Sequence, residues 1–161
     1  MKEFDITIHV RCYTKEELSV EDSTLVDKAI AATQNSYANY SHFYVGAALR
    51  LADGRIFIGA NQENAAFPSG LCAERTAIFA AQANAPEQPI LTLAIAARND
   101  HGLTSRPISP CGACRQVILE IEDRYQQPVR ILLYGTDGIY EVQSVKDLLP
   151  FSFVDSCMKE A

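Results

Sequence analysis

Nowhere in the 161 residues does an apolar run approach the length that a bilayer-spanning helix needs, which argues against a membrane protein and against a membrane partner. Lysine and arginine are scarce, 14 against 20 acidic residues for a formal net charge of -6, and they form no cluster. Such a chain repels a polyphosphate backbone, so no nucleic-acid partner is expected and a small molecule is favoured. The opening "MKEFDITIHVRCYT" has no basic stretch followed by a continuous apolar one, so no secretory signal is expected and the cytoplasm is the expected compartment. Low-complexity segments, repeats and composition breaks are missing as well. With 48% hydrophobic and 21% charged residues the composition is that of an ordinary globular protein. The length suits one sizeable core, so a single domain over residues 1–161 is expected.

Period-two and helical patterns alternate along the chain. In "DITIHVRC", Ile6, Ile8, Val10 and Cys12 fall on one face and Thr7, His9 and Arg11 on the other, which predicts a strand with one face buried. Leu25, Val26, Ala29, Ile30 and Thr33 recur at helical spacing, with Ser23 or Thr24 placed to cap the helix. "FYVGAALRLADGRIFIGAN" predicts two strands joined by an Asp-Gly hairpin at Asp53-Gly54. Pro68 and Gly70 punctuate a loop before the alanine-rich "LCAERTAIFAAQANA", whose composition favours a helix. "ILTLAIAA" and "VRILLYG" are nearly continuous apolar runs, as strands covered on both faces require. Between them, Arg98 to Pro110 predicts a loop leading into a helix near Cys111. "IYEV" adds a strand after the turn at Thr136-Asp137-Gly138, and "SVKDLLP" a short helix. Alternating strands and helices of this kind make an α/β layered fold.

Five cysteines without a secretory signal point to a reducing compartment, where thiols are more often free, catalytic or metal-bound than bridged. Cys111 and Cys114 stand three positions apart at the start of a helix and admit three readings: half of a zinc site, a redox couple, or two thiols that fill space. A zinc reading needs further donors, and Cys72, also at a helix start, is the candidate. If two parallel neighbouring strands lead into these helices, both N-termini point at one spot and the three thiols meet there. Helix N-termini carry partial positive charge and lower a thiol's pKa, which leaves thiolate for a metal. Three ligands keep a fourth position open for water or substrate, the property that separates a catalytic zinc from a structural one. Glu74 falls on another face of the first turn after Cys72, where a carboxylate can take a proton from that water and return it elsewhere. Three thiolates around a divalent ion leave net negative charge, which opposes ionisation of the water. Arg75 first, and then Arg115, are the sequence candidates to offset it by donating to the ligand sulfurs.

Cys72-Ala73-Glu74 followed by Pro110-Cys111-Gly112-Ala113-Cys114 resembles the signature of the zinc nucleoside deaminases. With "FYVGAAL", "NQENAAF", "LCAERTAIFAA" and "SPCGACRQVI", the chain resembles the cytidine deaminases of the short, all-cysteine, homotetrameric class from about Ala31 to Phe153. The resemblance implies a three-layer α/β/α sandwich with a mixed five-stranded sheet, and one zinc ion per subunit on Cys72, Cys111 and Cys114. It implies hydrolytic deamination of cytidine and 2'-deoxycytidine to uridine and 2'-deoxyuridine, a step of pyrimidine salvage. Glu74 is then the catalytic residue, protonating N3 of the base and later the departing amine, and the N–H of Ala73 meets the base O2. Asn61 and Glu63 correspond to a ribose-binding pair, and a carboxylate there repels a phosphate, so free nucleosides are expected rather than nucleotides. Phe43 corresponds to the aromatic residue that flanks the base. Phe153, with Phe151 as a nearby rival, corresponds to a residue that reaches into a neighbouring subunit's site, which implies a homotetramer with shared sites. Residues 1–22 have no counterpart in the short class and read as an N-terminal extension carrying an extra strand.

Taken singly, several of these residues have plainer readings. Cys12 and Cys157 suit surface or space-filling thiols, and His9, His42 and His101 lie outside ligand spacing. Phe43 reads equally as core packing, Glu63 as a loop carboxylate, and Arg75 and Arg115 as solvent-facing helix residues. Two other functions stay open. One keeps the chemistry on a different substrate, a cytosine in nucleic acid or an aminonucleoside antibiotic such as blasticidin S; the charge balance disfavours the first. The other is a zinc-stabilised module without catalysis, which requires a fourth protein ligand that no cysteine or histidine near the motifs supplies.

Overall fold

Gly54, at φ 86°, closes the tight turn between β2 (Tyr44–Leu51) and β3 (Ile56–Ala60), which pair antiparallel from Gly46↔Ala60 to Arg50↔Ile56. The computed structural model describes residues 1–159. Around this hairpin lie β1 (Arg11–Tyr13), α1 (Val20–Ala32), α2 (Ala73–Asn84), β4 (Ile90–Asn99), β5 (Gly102–Leu103), α3 (Gly112–Tyr125), β6 (Arg130–Gly135) and β7 (Gly138–Val142). They form one mixed sheet in the order β1-β7-β6-β4-β2-β3, with β5 pairing back on β4. The β4–β6 pair is parallel and is bridged by α3; the other pairs are antiparallel.

The expected sandwich is present, with seven strands in place of five. Strands β2, β3, β4, β6 and β7 make the expected mixed core, while β5 is a two-residue return and β1 adds an edge. The alternation in "DITIHVRC" overstates β1, because only Arg11–Tyr13 pair with β7 (Arg11↔Glu141 to Tyr13↔Ile139). A strand needs a partner as well as a pattern, and β7 ends at Val142, before Ser144 starts a short helical turn. Similarly, α1 is capped by Ser19, whose side chain accepts from Asp22 N, and not by Ser23 or Thr24. Thr24 lies inside the helix, its hydroxyl donating to Val20 O.

Side chains alternate between two unlike cores. Ala47, Leu49, Leu51, Leu93, Ile95, Ile131, Leu133 and Val142 face α2 and α3, which contribute Ala77, Ile78, Ala81, Ile118 and Leu119. On the other face Ala48, Ala94, Ala96, Leu132 and Ile139 meet Leu25, Val26 and Ala29 of α1. The small residues let α1 lie close: a Cβ on Gly46 would come within 2.1 Å of Ala29 O. At the end of this face Asp22, 7% exposed, accepts from Arg130 at 2.9 and 2.6 Å and from Arg50 at 3.5 Å. Arg130 also binds the buried Glu141 at 2.8 Å, which in turn accepts from Arg11 at 3.0 Å. The buried carboxylate of Glu122 on α3 accepts from Val129 N, Val145 N and Ser144 Oγ at 3.0, 2.9 and 2.7 Å, tying the helix to the segments on either side of β6 and β7.

Helices α2 and α3 both begin where strands end, which brings their N-termini to one edge of the sheet. The strands leading to them, β3 and β4, run in the same direction but are not neighbours; β2 lies between them, antiparallel to both. The long loops before each helix span the extra distance. Gly59 seats α2 directly on β3, since a Cβ there would approach Ala73 O and Ala77 N to 2.4 Å. The loop after β5 is fixed by Thr136 N to Thr104 O and Asp137 N to Ser105 O, both 3.0 Å.

Candidate metal centre and active site

Cys72 is the N-cap of α2 and Cys111 the N-cap of α3, both in extended backbone, and Cys114 lies in the first turn of α3. The Cys111 sulfur is 3.7 Å from that of Cys72 and 3.5 Å from that of Cys114, and the three lie within 4.8 Å of one another. Sulfurs at about 2.3 Å from a tetrahedral zinc stand about 3.8 Å apart, so this trio fits the ion's donor type and spacing. Hydrogen bonds with Cys114, Arg75 and Cys111 outweigh burial and pull the Cys72 thiol down to about 5. Cys114 moves the opposite way, pushed up by its bond to Cys72 and by burial, since one thiolate opposes a second at this range. A divalent cation removes that opposition.

Arg75 donates from Nη2 to Cys72 Sγ at 3.4 Å, and its Nε is buried with no acceptor among the described residues. Arg115 differs from expectation and bonds to no sulfur. Its Nε reaches Pro110 O at 2.8 Å, its Nη2 Ser109 Oγ at 3.0 Å and its Nη1 Leu148 O at 2.5 Å. As the fourth residue of α3 it turns its guanidinium back along the helix start, where it fixes the loop that presents Cys111. Glu74 is 4% exposed; burial and the neighbouring Cys72 charge raise its pKa. Ala73 is fully buried, and as the first residue of α2 it has no helical acceptor for its N–H.

Beside Cys72 opens a cavity of about 400 Å³, lined among others by Tyr40, Asn61, Glu63, Phe67 and Leu71. That is the size range of small-molecule sites. Glu63 Oε2 accepts from the backbone of Tyr40 at 2.7 Å and Ser41 at 3.3 Å; the Ser41 hydroxyl and these amides hold its carboxyl below the usual range. Asn61 reaches the cavity too, while its side chain braces the loop by accepting from Val45 N at 2.8 Å and donating to Phe43 O at 3.0 Å. The half-buried Phe43 is not among the lining residues; the aromatic rings there are Tyr40 and Phe67, edge to face at 5.6 Å. Neither was singled out from sequence, although both flank the "NQEN" segment in space. Phe153 lies away from the cavity, 58% exposed, with its carbonyl accepting from Gln116 Nε2 at 2.9 Å. Phe151 is 84% exposed, in left-handed backbone at φ 55°.

A soft-donor metal centre at two helix N-termini, opening on a cavity of ligand size in an α/β/α sandwich, defines a zinc enzyme that acts on small molecules. The sequence model of the cytidine and deoxycytidylate deaminase zinc-binding region matches residues 19–126, and the chain belongs to that family. A cytidine deaminase of Halalkalibacterium halodurans is 38% identical over 136 residues, 84% of this chain and 96% of that protein. One of Sporosarcina psychrophila is 41% identical over 132 residues, 80% of this chain and 90% of that protein. Among solved structures, the cytidine deaminase of Burkholderia pseudomallei superposes with a TM-score of 0.69 at 40% identity, covering 81% of this chain and 97% of the other.

Proposed function

We propose that this protein is a cytidine deaminase, converting cytidine and 2'-deoxycytidine with water to uridine or 2'-deoxyuridine and ammonia. The observation that carries the reading is the meeting of three thiols from two helices near one buried carboxyl, Glu74, with Cys72 lining a cavity of nucleoside size. Cys72, Cys111 and Cys114 hold one zinc ion per subunit. When bound, zinc supplies Lewis acidity that makes a water molecule acidic enough to react near neutral pH.

Glu74 moves the protons. It accepts one as water oxygen bonds to C4 of the base, delivers it to N3, and carries a second to the amino nitrogen as the C4–N bond breaks. Its raised pKa suits that cycle, because the carboxylate is then a stronger base toward the proton of water and, once protonated, holds the proton until the base nitrogen takes it. The free N–H of Ala73 binds the base O2. Glu63, kept ionised, and Asn61 bind the sugar hydroxyls, and the Glu63 charge repels a 5'-phosphate. Arg75 offsets the charge of the thiolates and Arg115 holds the Cys111 loop. Phe43 backs the base from the segment before β2, where its carbonyl accepts from Asn61.

The chain acts as one domain over residues 1–161, with residues 1–22 as an extension, and assembles as a homotetramer in which Phe153 completes a neighbouring site. The exposure of Phe153 and Phe151 supports that role. Five unbridged cysteines suit the cytoplasm; among the described residues no helix is long and apolar enough to cross a membrane.

The test is ultraviolet monitoring of cytidine loss by zinc-loaded protein, beside its Glu74→Gln variant. The variant is expected to keep zinc and lose turnover by about 10²–10⁴-fold or more. Absence of conversion by the parent protein, or undiminished turnover by the variant, overturns the reading.

A further inference from the structure

The first ten residues are exposed, and they make no hydrogen bond to any described residue. Yet their pattern is that of a paired strand. Phe4, Ile6, Ile8 and Val10 alternate with polar residues and are 73, 52, 44 and 51% exposed, an apolar stripe that the described residues leave about half open or more, with Phe4 in an edge contact with Phe151 at 6.2 Å. The segment continues β1 past the end of β7, where Arg11, held by Glu141, fixes its point of departure from the body. It also lies outside the family match, which begins at residue 19.

The order of its side chains carries a symmetry of its own. In an antiparallel pair of two such segments centred on Thr7, Ile6 of one copy faces Ile8 of the other and Phe4 faces Val10, so the apolar stripes coincide. On the opposite face Asp5 meets His9 and Glu3 meets Arg11, acid opposite base at each place. A shift of one residue puts apolar side chains against polar ones, and a parallel in-register pair sets Glu3 and Asp5 against themselves. A two-fold axis through Thr7 makes the contact isologous and closed, the arrangement that a homo-oligomer favours.

We propose that residues 4–10 are an arm that pairs antiparallel with the same residues of a second copy of this chain, Thr7 opposite Thr7, joining two sheets through their β1 edges. The pairing supplies partners for backbone groups that are otherwise unbonded and brings the two apolar stripes onto one face. It is independent of the deaminase reading, since no residue of the metal centre or cavity takes part.

The test is disulfide trapping in zinc-loaded protein carrying Cys12→Ser and Cys157→Ser, under mild oxidant, read on a non-reducing gel. Thr7→Cys is expected to give mainly disulfide-linked dimer, at least tenfold more than Asp5→Cys alone. The double change Asp5→Cys with His9→Cys is expected to restore trapping. Equal trapping of Thr7→Cys and Asp5→Cys, as a parallel pair or random collision gives, overturns the proposal. So does a Thr7→Cys chain that stays single, the outcome if the arm folds on its own chain or takes another partner. The substituted positions are exposed, and circular dichroism and thermal unfolding before oxidation report that each variant is folded.

Discussion

The guanidinium of Arg75 lies against the sulfur of Cys72, Nη2 to Sγ at 3.4 Å, one turn into the helix that Cys72 caps. A positive charge there stabilises thiolate, and a sulfur that accepts a hydrogen bond gives less of its charge to a metal. Replacing Arg75 with alanine is expected to lower zinc affinity or kcat/KM by about 10–100-fold. Competition with a zinc chelator and steady-state kinetics measure the two, and a change below twofold in both is the contrary result.

Gly59 gives a second point of leverage, on geometry instead of charge. Gly59→Ala drives a methyl group into the backbone of Ala73 and Ala77, so α2 must lift at the turn that carries Cys72 and Glu74. A loss of about 2–3 kcal/mol in stability is expected, the upper range for overpacking, because the obstacle is main chain. Urea unfolding measures it, and zinc content is expected to fall in parallel.

Glu122 is buried and accepts from two backbone amides and one hydroxyl. Glu122→Ala strands those donors, at about 1–3 kcal/mol for each amide that water does not reach. Thermal unfolding is expected to shift down clearly, with KM for cytidine unchanged in protein that remains folded.

For Asp22, burial alone pushes the carboxyl up, but hydrogen bonds and charge from Arg130, with Ser19 and Arg50, leave its pKa below the usual carboxylate range. A depressed folded-state pKa contributes stability that is complete above the unfolded value and is lost as pH falls through the folded one. Acid unfolding of the parent protein is therefore expected to draw on this group below about pH 4. Asp22→Asn is expected to cost about 2 kcal/mol or more at pH 7, since Arg130 keeps its charge, and to flatten the stability curve in the acid range. A variant whose stability parallels the parent from pH 7 to pH 3 contradicts the assignment.

Much of the centre was legible in the chain. Cys72, Cys111 and Cys114 converge because helix starts are local events, marked by Gly and Pro before an alanine-rich or amphipathic run. The Asp53-Gly54 hairpin and the buried strands β4 and β6 likewise follow from short-range pattern. What sequence does not encode locally is which strands become neighbours. The insertion of β2 between β3 and β4 is a long-range choice, and it makes the route by which the thiols meet longer than two adjacent parallel strands would give. The direction of a long side chain is equally non-local. Arg115 adjoins a thiol in sequence yet ends on Leu148 O, and Tyr40 enters the cavity because a distant carboxylate, Glu63, holds its backbone. Residues 1–10 show the pattern outrunning the structure: alternation fixes which face is apolar, not what covers it.

The two sides of the sheet are unequal in grain, leucine and isoleucine toward α2 and α3, alanine and Gly46 toward α1. Room for adaptation is correspondingly lopsided. On the bulky side, lineages or libraries can exchange one branched side chain for another and conserve volume. Toward α1, Ala48, Ala94, Ala96 and Gly46 leave less volume to trade beside Leu132 and Ile139, so tuning of this protein by repacking falls mainly beneath the metal-bearing helices, where an adjustment is also felt at the reacting end.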